Sequence, residues 1–284
     1  MNAPRLVDVD GLRWAVRVAG AGPALLLLHG FTGSGRSWDG ELTAAAIGAG
    51  FTAIAPDLPG HGGTAWLAAD PADPADPSRA TIERSADDLA VLLRALGHDR
   101  ACVVGYSMGA RVALRLAIVH PACVACLVLE APSAGIADAA LRAARRAADD
   151  ALGRTLERDG IGPFVDAWER MPVLAGEARL GADARAALRE IRLSHGPAGL
   201  ATSLRAAGQG AMEPLHHRLG EIASPTLVIV GADDPVRDHA TAVAARIPGA
   251  RLAVIDAAGH APHLEAPAAF RRLVLDFVSE DHAA

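Results

Sequence analysis

The chain has 284 residues, 51% of them hydrophobic and 21% charged, enough apolar material for a substantial core and for one large sheet carrying an insertion. Its net charge of −6 leaves no excess of cations to displace phosphate counterions, which argues against nucleic acid as the main partner. The longest apolar stretch, residues 24–28, is far too short to cross a bilayer, so no membrane insertion is expected. Residues 1–4 open without a signal-peptide pattern, and a cytoplasmic protein, monomeric or a small homo-oligomer, is expected. All the basic side chains other than histidine are arginine, a bias that accompanies heavy alanine use and reflects base composition more than function. The three cysteines, Cys102, Cys123 and Cys126, read as small apolar core residues in a reducing compartment; Cys123-x-x-Cys126 has no second ligand pair at zinc spacing, so no metal site is expected.

In chain order, the alternation Leu12-Arg-Trp-Ala-Val-Arg-Val18 predicts a half-exposed antiparallel strand. Apolar runs of strand length follow at 24–29, 52–56, 101–105, 124–130, 226–231 and 251–256. Such near-continuous runs predict strands covered on both faces, in a mostly parallel sheet with helices above and below. Residues 69–77 repeat Asp-Pro and predict a surface loop, because proline breaks both helix and strand. Leu89, Leu92, Leu93 and Leu96 recur at helical spacing, with Thr81 as a candidate N-cap and Gly97 as a stop. The strand–helix rhythm lapses between Ala131 and Pro225. Helical patterns rich in Ala and Arg fill that interval, broken at 160–163, Pro172, Gly181, 196–197 and Pro214. The economical expectation is a core formed by residues 1–130 and 225–284, with 131–224 inserted as a helical lid over the sheet.

Chemistry concentrates at three places. Gly105-Tyr-Ser-Met-Gly109 fits G-x-S-x-G directly after a strand and before the helix-like run 110–119, a tight turn that thrusts Ser107 out at the strand's end. His29-Gly-Phe31 ends an earlier strand, and the N–H of Phe31 with that of Met108 would form an oxyanion hole; His29 itself reads as a brace for the loop. Asp233 and Asp234 follow the strand ending at Gly231, and His260 lies in Ala258-Gly-His-Ala261 after the next strand. Asp234 is favoured as the acid that orients the imidazole, with Asp233 capping a helix or facing solvent, and His260 is favoured over His263 as the base.

With these residues in view the chain resembles the α/β-hydrolase superfamily along nearly all its length. Within it, the chain resembles the 2-succinyl-6-hydroxy-2,4-cyclohexadiene-1-carboxylate synthases of menaquinone biosynthesis. The likeness rests on Leu28-His-Gly-Phe-Thr-Gly-Ser-Gly-Arg-Ser-Trp38, on Asp57-Leu-Pro-Gly-His-Gly-Gly63, on Tyr106 before the serine and Arg111 four residues after it. It extends to Glu130 with the segment after it, to Trp168-Glu-Arg-Met-Pro-Val173 and to Arg192. Two departures stand out. Ala134-Gly135-Ile136 replaces Pro-Gly-Leu, and Arg237 stands where some relatives carry Lys.

The resemblance implies an α/β-hydrolase fold and a substrate ring bearing three carboxylates. Arg suits planar carboxylates through bidentate hydrogen bonds, so Arg111, Arg145, Arg192 and Arg237 are expected to converge on this small anionic substrate, with Tyr106 and Trp168 in contact. The implied reaction hydrolyses nothing. His260 takes the proton of Ser107, the alkoxide removes a ring proton, and elimination expels pyruvate, with no metal or organic cofactor required. A carboxylesterase or C–C hydrolase acting through an acyl-enzyme on Ser107 stays open as the alternative, because fold does not fix reaction; a non-catalytic binding protein is disfavoured by the intact Ser, His and Asp.

Overall fold

A computed structural model describes residues 1, 3–67 and 77–282. The Asp-Pro segment expected as a loop lies outside the described residues as far as position 76. The strands are β1 (Arg5–Val9), β2 (Leu12–Gly20), β3 (Ala24–Leu28), β4 (Thr52–Pro56), β5 (Ala65–Trp66), β6 (Ala101–Tyr106), β7 (Val124–Glu130), β8 (Thr226–Gly231) and β9 (Arg251–Ile255). Among the described residues they form one sheet in the order β1-β2-β4-β3-β6-β7-β8-β9, with β5 paired to β2. β2 runs antiparallel to β1, β4 and β5, whereas every pair from β4 through β9 is parallel. This is the α/β-hydrolase fold.

The parallel strands are apolar on both faces because helices cover both. Leu26 and Leu28 of β3 join the core under α2 (Ile82–Ala95) and α3 (Met108–Val119), while Leu25 and Leu27 point the other way, toward α1 (Glu41–Gly48) and α10 (Pro267–His282). Each such buried leucine contributes roughly 1.5–3 kcal/mol relative to exposure. Thr81 caps α2, its side chain accepting from the Arg84 N–H, and Gly97 ends the helix region with φ +85°.

Two expectations need correction. The run at 251–256 was expected to be covered on both faces, but β9 is the sheet's edge and leaves Leu252 and Val254 41% and 46% exposed. The cysteines are not three free thiols: Cys102 and Cys126 are joined as a disulfide, and only Cys123 is free and buried. The parallel register of β6 and β7 sets Cys102 directly opposite Cys126, with Cα atoms 4.5 Å apart, a neighbourhood that a separation of 24 residues conceals.

Between β7 and β8 the chain forms α4 (Ala139–Asp159), α5 (Ile161–Trp168), a 3-10 segment (Pro172–Arg179), α6 (Ala182–Leu193) and α7 (Pro197–Ala207), with no strand among them. These helices have a small core of their own: Leu156, Phe164, Val165, Leu200, Ala201 and Leu204, with Phe31 and Trp168 packed against it. His195, in the turn between α6 and α7, ties them to the sheet loops. Its Nδ1 accepts from the Gly62 N–H at 3.1 Å and its Nε2 donates to the Thr32 carbonyl at 3.0 Å. The remaining helices are α8 (Arg237–Ala244) and α9 (Pro262–Glu265), which precede and follow β9. None of the described helices is long and apolar enough to cross a membrane.

Candidate active site

Ser107 sits between β6 and α3 with φ +50° and ψ −103°, a strained backbone for a residue with a Cβ. The strain is held by packing and by the bond from the Ser107 N–H to the Glu130 carbonyl at 2.9 Å. A Cβ at position 109 would lie 2.2 Å from the Leu28 carbonyl oxygen, so only glycine lets α3 start this close to β3.

His260 Nδ1 lies 3.0 Å from Asp234 Oδ2, and its Nε2 lies 3.1 Å from Ser107 Oγ. An ionised carboxylate only accepts, so the proton belongs on Nδ1 and Nε2 is left to accept from the serine hydroxyl. Asp234 is buried, and its Oδ1 accepts from the Val236 N–H at 3.0 Å, which fixes the carboxylate plane. Gly231 allows the approach: a Cβ there would meet the carbonyls of Ala258 and Gly259 at 2.1 Å. Asp233 turns away, 53% exposed, toward Arg179 Nη1 at 3.3 Å. Glu265 braces the histidine loop, accepting from the N–H groups of Gly259 (2.8 Å) and Ala261 (3.1 Å) and from Arg179 (2.7 Å). The sequence reading missed Glu265, although its place five residues after the histidine at the end of a short helix was visible.

Above the serine opens a cavity of about 770 Å³, lined by Phe31, Tyr106, Ser107, Met108, Arg111, Arg145, Trp168, Arg192 and His260 among others. The N–H groups of Phe31 and Met108 are engaged by no other described residue, which leaves both able to donate to an oxyanion. Phe31 packs edge-on against Trp168, ring centroids 5.1 Å apart. The Trp168 Nε1 is buried without an acceptor among the described residues. Burial, and then the nearby Glu130 charge, push the Tyr106 phenol well above its ordinary range, so it stays protonated.

The expected arginines divide. Arg111 is buried, donates from Nη1 to the Ala207 carbonyl at 2.7 Å, and forms no ion pair among the described residues. Burial, and then the neighbouring Arg145, lower it to about 10, which still leaves it cationic at neutral pH. Arg145 lines the cavity but is paired with Asp149 at 2.8 Å. Arg192 is buried between Glu177 (2.6 Å) and Glu169 (3.3 Å). Arg237 does not line the cavity; it is exposed and donates to the Ala232 carbonyl at 3.3 Å. Arg36, Glu177 and His239 line the cavity without having been singled out from the sequence. Arg36 lay inside a quoted motif and Glu177 beside another, so the signal was proximity rather than spacing.

His29 is braced at both nitrogens: Nδ1 donates to the Gly30 carbonyl at 2.8 Å and Nε2 accepts from the Leu58 N–H at 2.9 Å. Burial lowers its pKa from 6.5 to about 4, so it remains neutral. Among the described residues no group of three or more His, Cys, Asp or Glu side chains could hold a metal ion.

Residues 23–267 match the family model described as alpha/beta hydrolase fold. A putative 2-succinyl-6-hydroxy-2,4-cyclohexadiene-1-carboxylate synthase from Bacillus subtilis is 34% identical, the alignment covering 98% of this chain and 99% of the relative. The structure of MenH from S. aureus superposes with a TM-score of 0.82 at 31% identity, over 94% of this chain and 98% of that one. A thermophilic esterase from Thermogutta terrifontis, with malate bound, superposes with a TM-score of 0.83 at 27% identity, over 98% and 99%. The chain thus belongs to the α/β-hydrolase family and, within it, to the 2-succinyl-6-hydroxy-2,4-cyclohexadiene-1-carboxylate synthases.

Proposed function

We propose that this protein is a carbon–oxygen lyase of menaquinone biosynthesis that eliminates pyruvate from a tricarboxylate ring to give 2-succinyl-6-hydroxy-2,4-cyclohexadiene-1-carboxylate. The observation that carries the reading is Arg111, a buried cation that forms no ion pair among the described residues, in the wall of the same cavity that holds Ser107 and His260. A fixed, desolvated guanidinium suits a carboxylate and serves no purpose for a neutral ester. In this reading Asp234 holds the imidazole, His260 accepts the Ser107 proton, and the alkoxide takes a proton from the ring. The N–H groups of Phe31 and Met108 receive the negative charge that develops on an adjacent oxygen, and the C–O bond to the enolpyruvyl group breaks. Tyr106, Arg145, Trp168 and Arg192 complete the substrate contacts, and the helices of 131–224 act as the lid that excludes water. The partner is a small anionic molecule met in the cytoplasm.

The esterase likeness favours a second reading, in which Ser107 attacks a carbonyl and forms an acyl-enzyme. One experiment separates them. The purified protein is incubated with the enolpyruvyl intermediate while pyruvate is followed with a coupled dehydrogenase, and in parallel with a neutral nitrophenyl ester. Pyruvate release with poor ester turnover supports the lyase; efficient ester turnover without pyruvate overturns it.

A further inference from the structure

Beside His260 lies a second imidazole–carboxylate pair to which the reaction above gives no task. Glu130 ends β7 and is fully buried. Its Oε1 accepts from both the backbone N–H and the Nδ1 of His263, each at 2.8 Å. Its Oε2 is buried and meets no donor among the described residues. A carboxylate withdrawn from water with an oxygen left bare is costly unless something is gained by its presence. Packing alone gives no reason for it, because an apolar side chain would fill the same space at the end of the strand.

What Glu130 does is fix a ring. His263 lies in the first turn of α9, flanked by Trp38 with ring centroids 5.1 Å apart, by Tyr106 at 4.7 Å and by Phe270 at 6.0 Å. Tyr106 also neighbours His260, at 5.6 Å, so both imidazoles stand against one phenol. With Nδ1 committed to Glu130, Nε2 is the ring's one remaining polar atom. It is bonded to no described residue, and His263 lines the cavity. The arrangement repeats that of His260, with an acid behind Nδ1 of a ring whose residue lines the cavity.

We propose that His263 is a second imidazole contact to the substrate, offering Nε2 to one of its oxygen atoms, with Glu130 as the positioning residue. The inference deepens the lyase reading and rests on it.

The test uses three variants of the full chain, each checked for folding by circular dichroism and thermal melting. His263→Phe keeps an aromatic ring against Trp38 and Tyr106 but deletes Nε2. His263→Gln gives up the ring and keeps a polar end. On the enolpyruvyl intermediate the expected order of kcat/KM is wild type, then Gln, then Phe, with Phe lower by roughly 10–100-fold, the loss of one buried hydrogen bond to a charged group. A role in packing alone gives the reverse order of the two variants and overturns the proposal, as does a Phe variant equal to wild type. Should the His263 variants not fold, Glu130→Gln, nearly isosteric, decides: KM is expected to rise more than kcat falls, and an unchanged KM overturns the proposal. A wild type that releases no pyruvate fells the lyase reading and this inference together, whereas a competent wild type matched by its variants fells this inference alone.

Discussion

Arg192 Nη2 lies 2.6 Å from Glu177 Oε1, so a guanidinium in the cavity wall is already neutralised by an acid that lines the same cavity. With Glu169 also at 3.3 Å, a substrate carboxylate would be the third at Arg192, and its repulsion by Glu177 in a poorly solvated space opposes binding. Replacing Glu177 with Gln is therefore expected to tighten binding of the trianion by roughly tenfold, about 1.4 kcal/mol. Calorimetric titration of the intermediate into Ser107→Ala, with and without Glu177→Gln, measures it. Weaker binding in the double variant would mean that Glu177 supports the site rather than competing for Arg192.

The hydrogen-bonded chain from Asp234 through His260 to Ser107 makes a graded prediction. Ser107→Ala and His260→Ala are each expected to lower kcat about a thousandfold or more. Asp234→Asn is expected to be far more damaging than Asp233→Asn, because the Asp233 side chain is half exposed and is paired with Arg179 rather than with His260. Steady-state pyruvate release gives the ratios; equal effects of the two Asn variants would reassign the acid.

The arginines are expected to differ by position. Arg111→Met and Arg145→Ala remove cations from the cavity wall and are expected to cost on the order of 10–150-fold in kcat/KM, since a charge-assisted bond is worth roughly 1.5–3 kcal/mol. Arg237→Ala, outside the cavity, is expected to stay within about twofold of wild type, as exposed charges contribute little. A large loss at Arg237 on the tricarboxylate would show that the cavity extends past α8 when occupied.

Acid stability follows from His29. Its folded pKa of about 4 lies below the ordinary 6.5, so between those values the unfolded chain binds the extra proton and the folded chain does not. The contribution of His29 to stability is full above about pH 6.5 and is lost as pH falls toward 4, by on the order of 3 kcal/mol. His61, also lowered by burial, acts in the same direction. Urea unfolding at a series of pH values tests this, and His29→Asn should flatten the slope; an unfolding free energy constant from pH 7 to 4.5 would contradict it.

The residues legible in the sequence are those whose roles depend on position along the chain. Ser107, Asp234 and His260 each follow a strand of the sheet, and apolar runs mark those strands. The parts that escaped depend on packing between distant elements. Glu177 and Glu169 reach Arg192 from another segment of the insertion, and Asp149 claims Arg145 along α4, so a count of arginines overstated the free positive charge. Arg237 carries the expected charge, but α8 points it away from the cavity. The edge position of β9 and the pairing of Cys102 with Cys126 follow from strand order and register, which no local run of residues encodes. The Glu130–His263 pair joins residues 133 positions apart, and from the sequence His263 could be weighed only as a rival to His260.

His195 hydrogen-bonds the sheet loops through main-chain atoms, the N–H of Gly62 and the carbonyl of Thr32, and its ring packs edge-on against His61. The faces of α4 to α7 that line the cavity can thus diverge while this contact, with those of Arg179 to Asp233 and Glu265, keeps the insertion docked. Thr32 follows Phe31 in the chain, so whatever shifts the junction of α6 and α7 also pulls on the amide proposed as one oxyanion donor. Changes of substrate and of reaction chemistry are in this way open to mutation at separate places, yet the two remain mechanically coupled through His195.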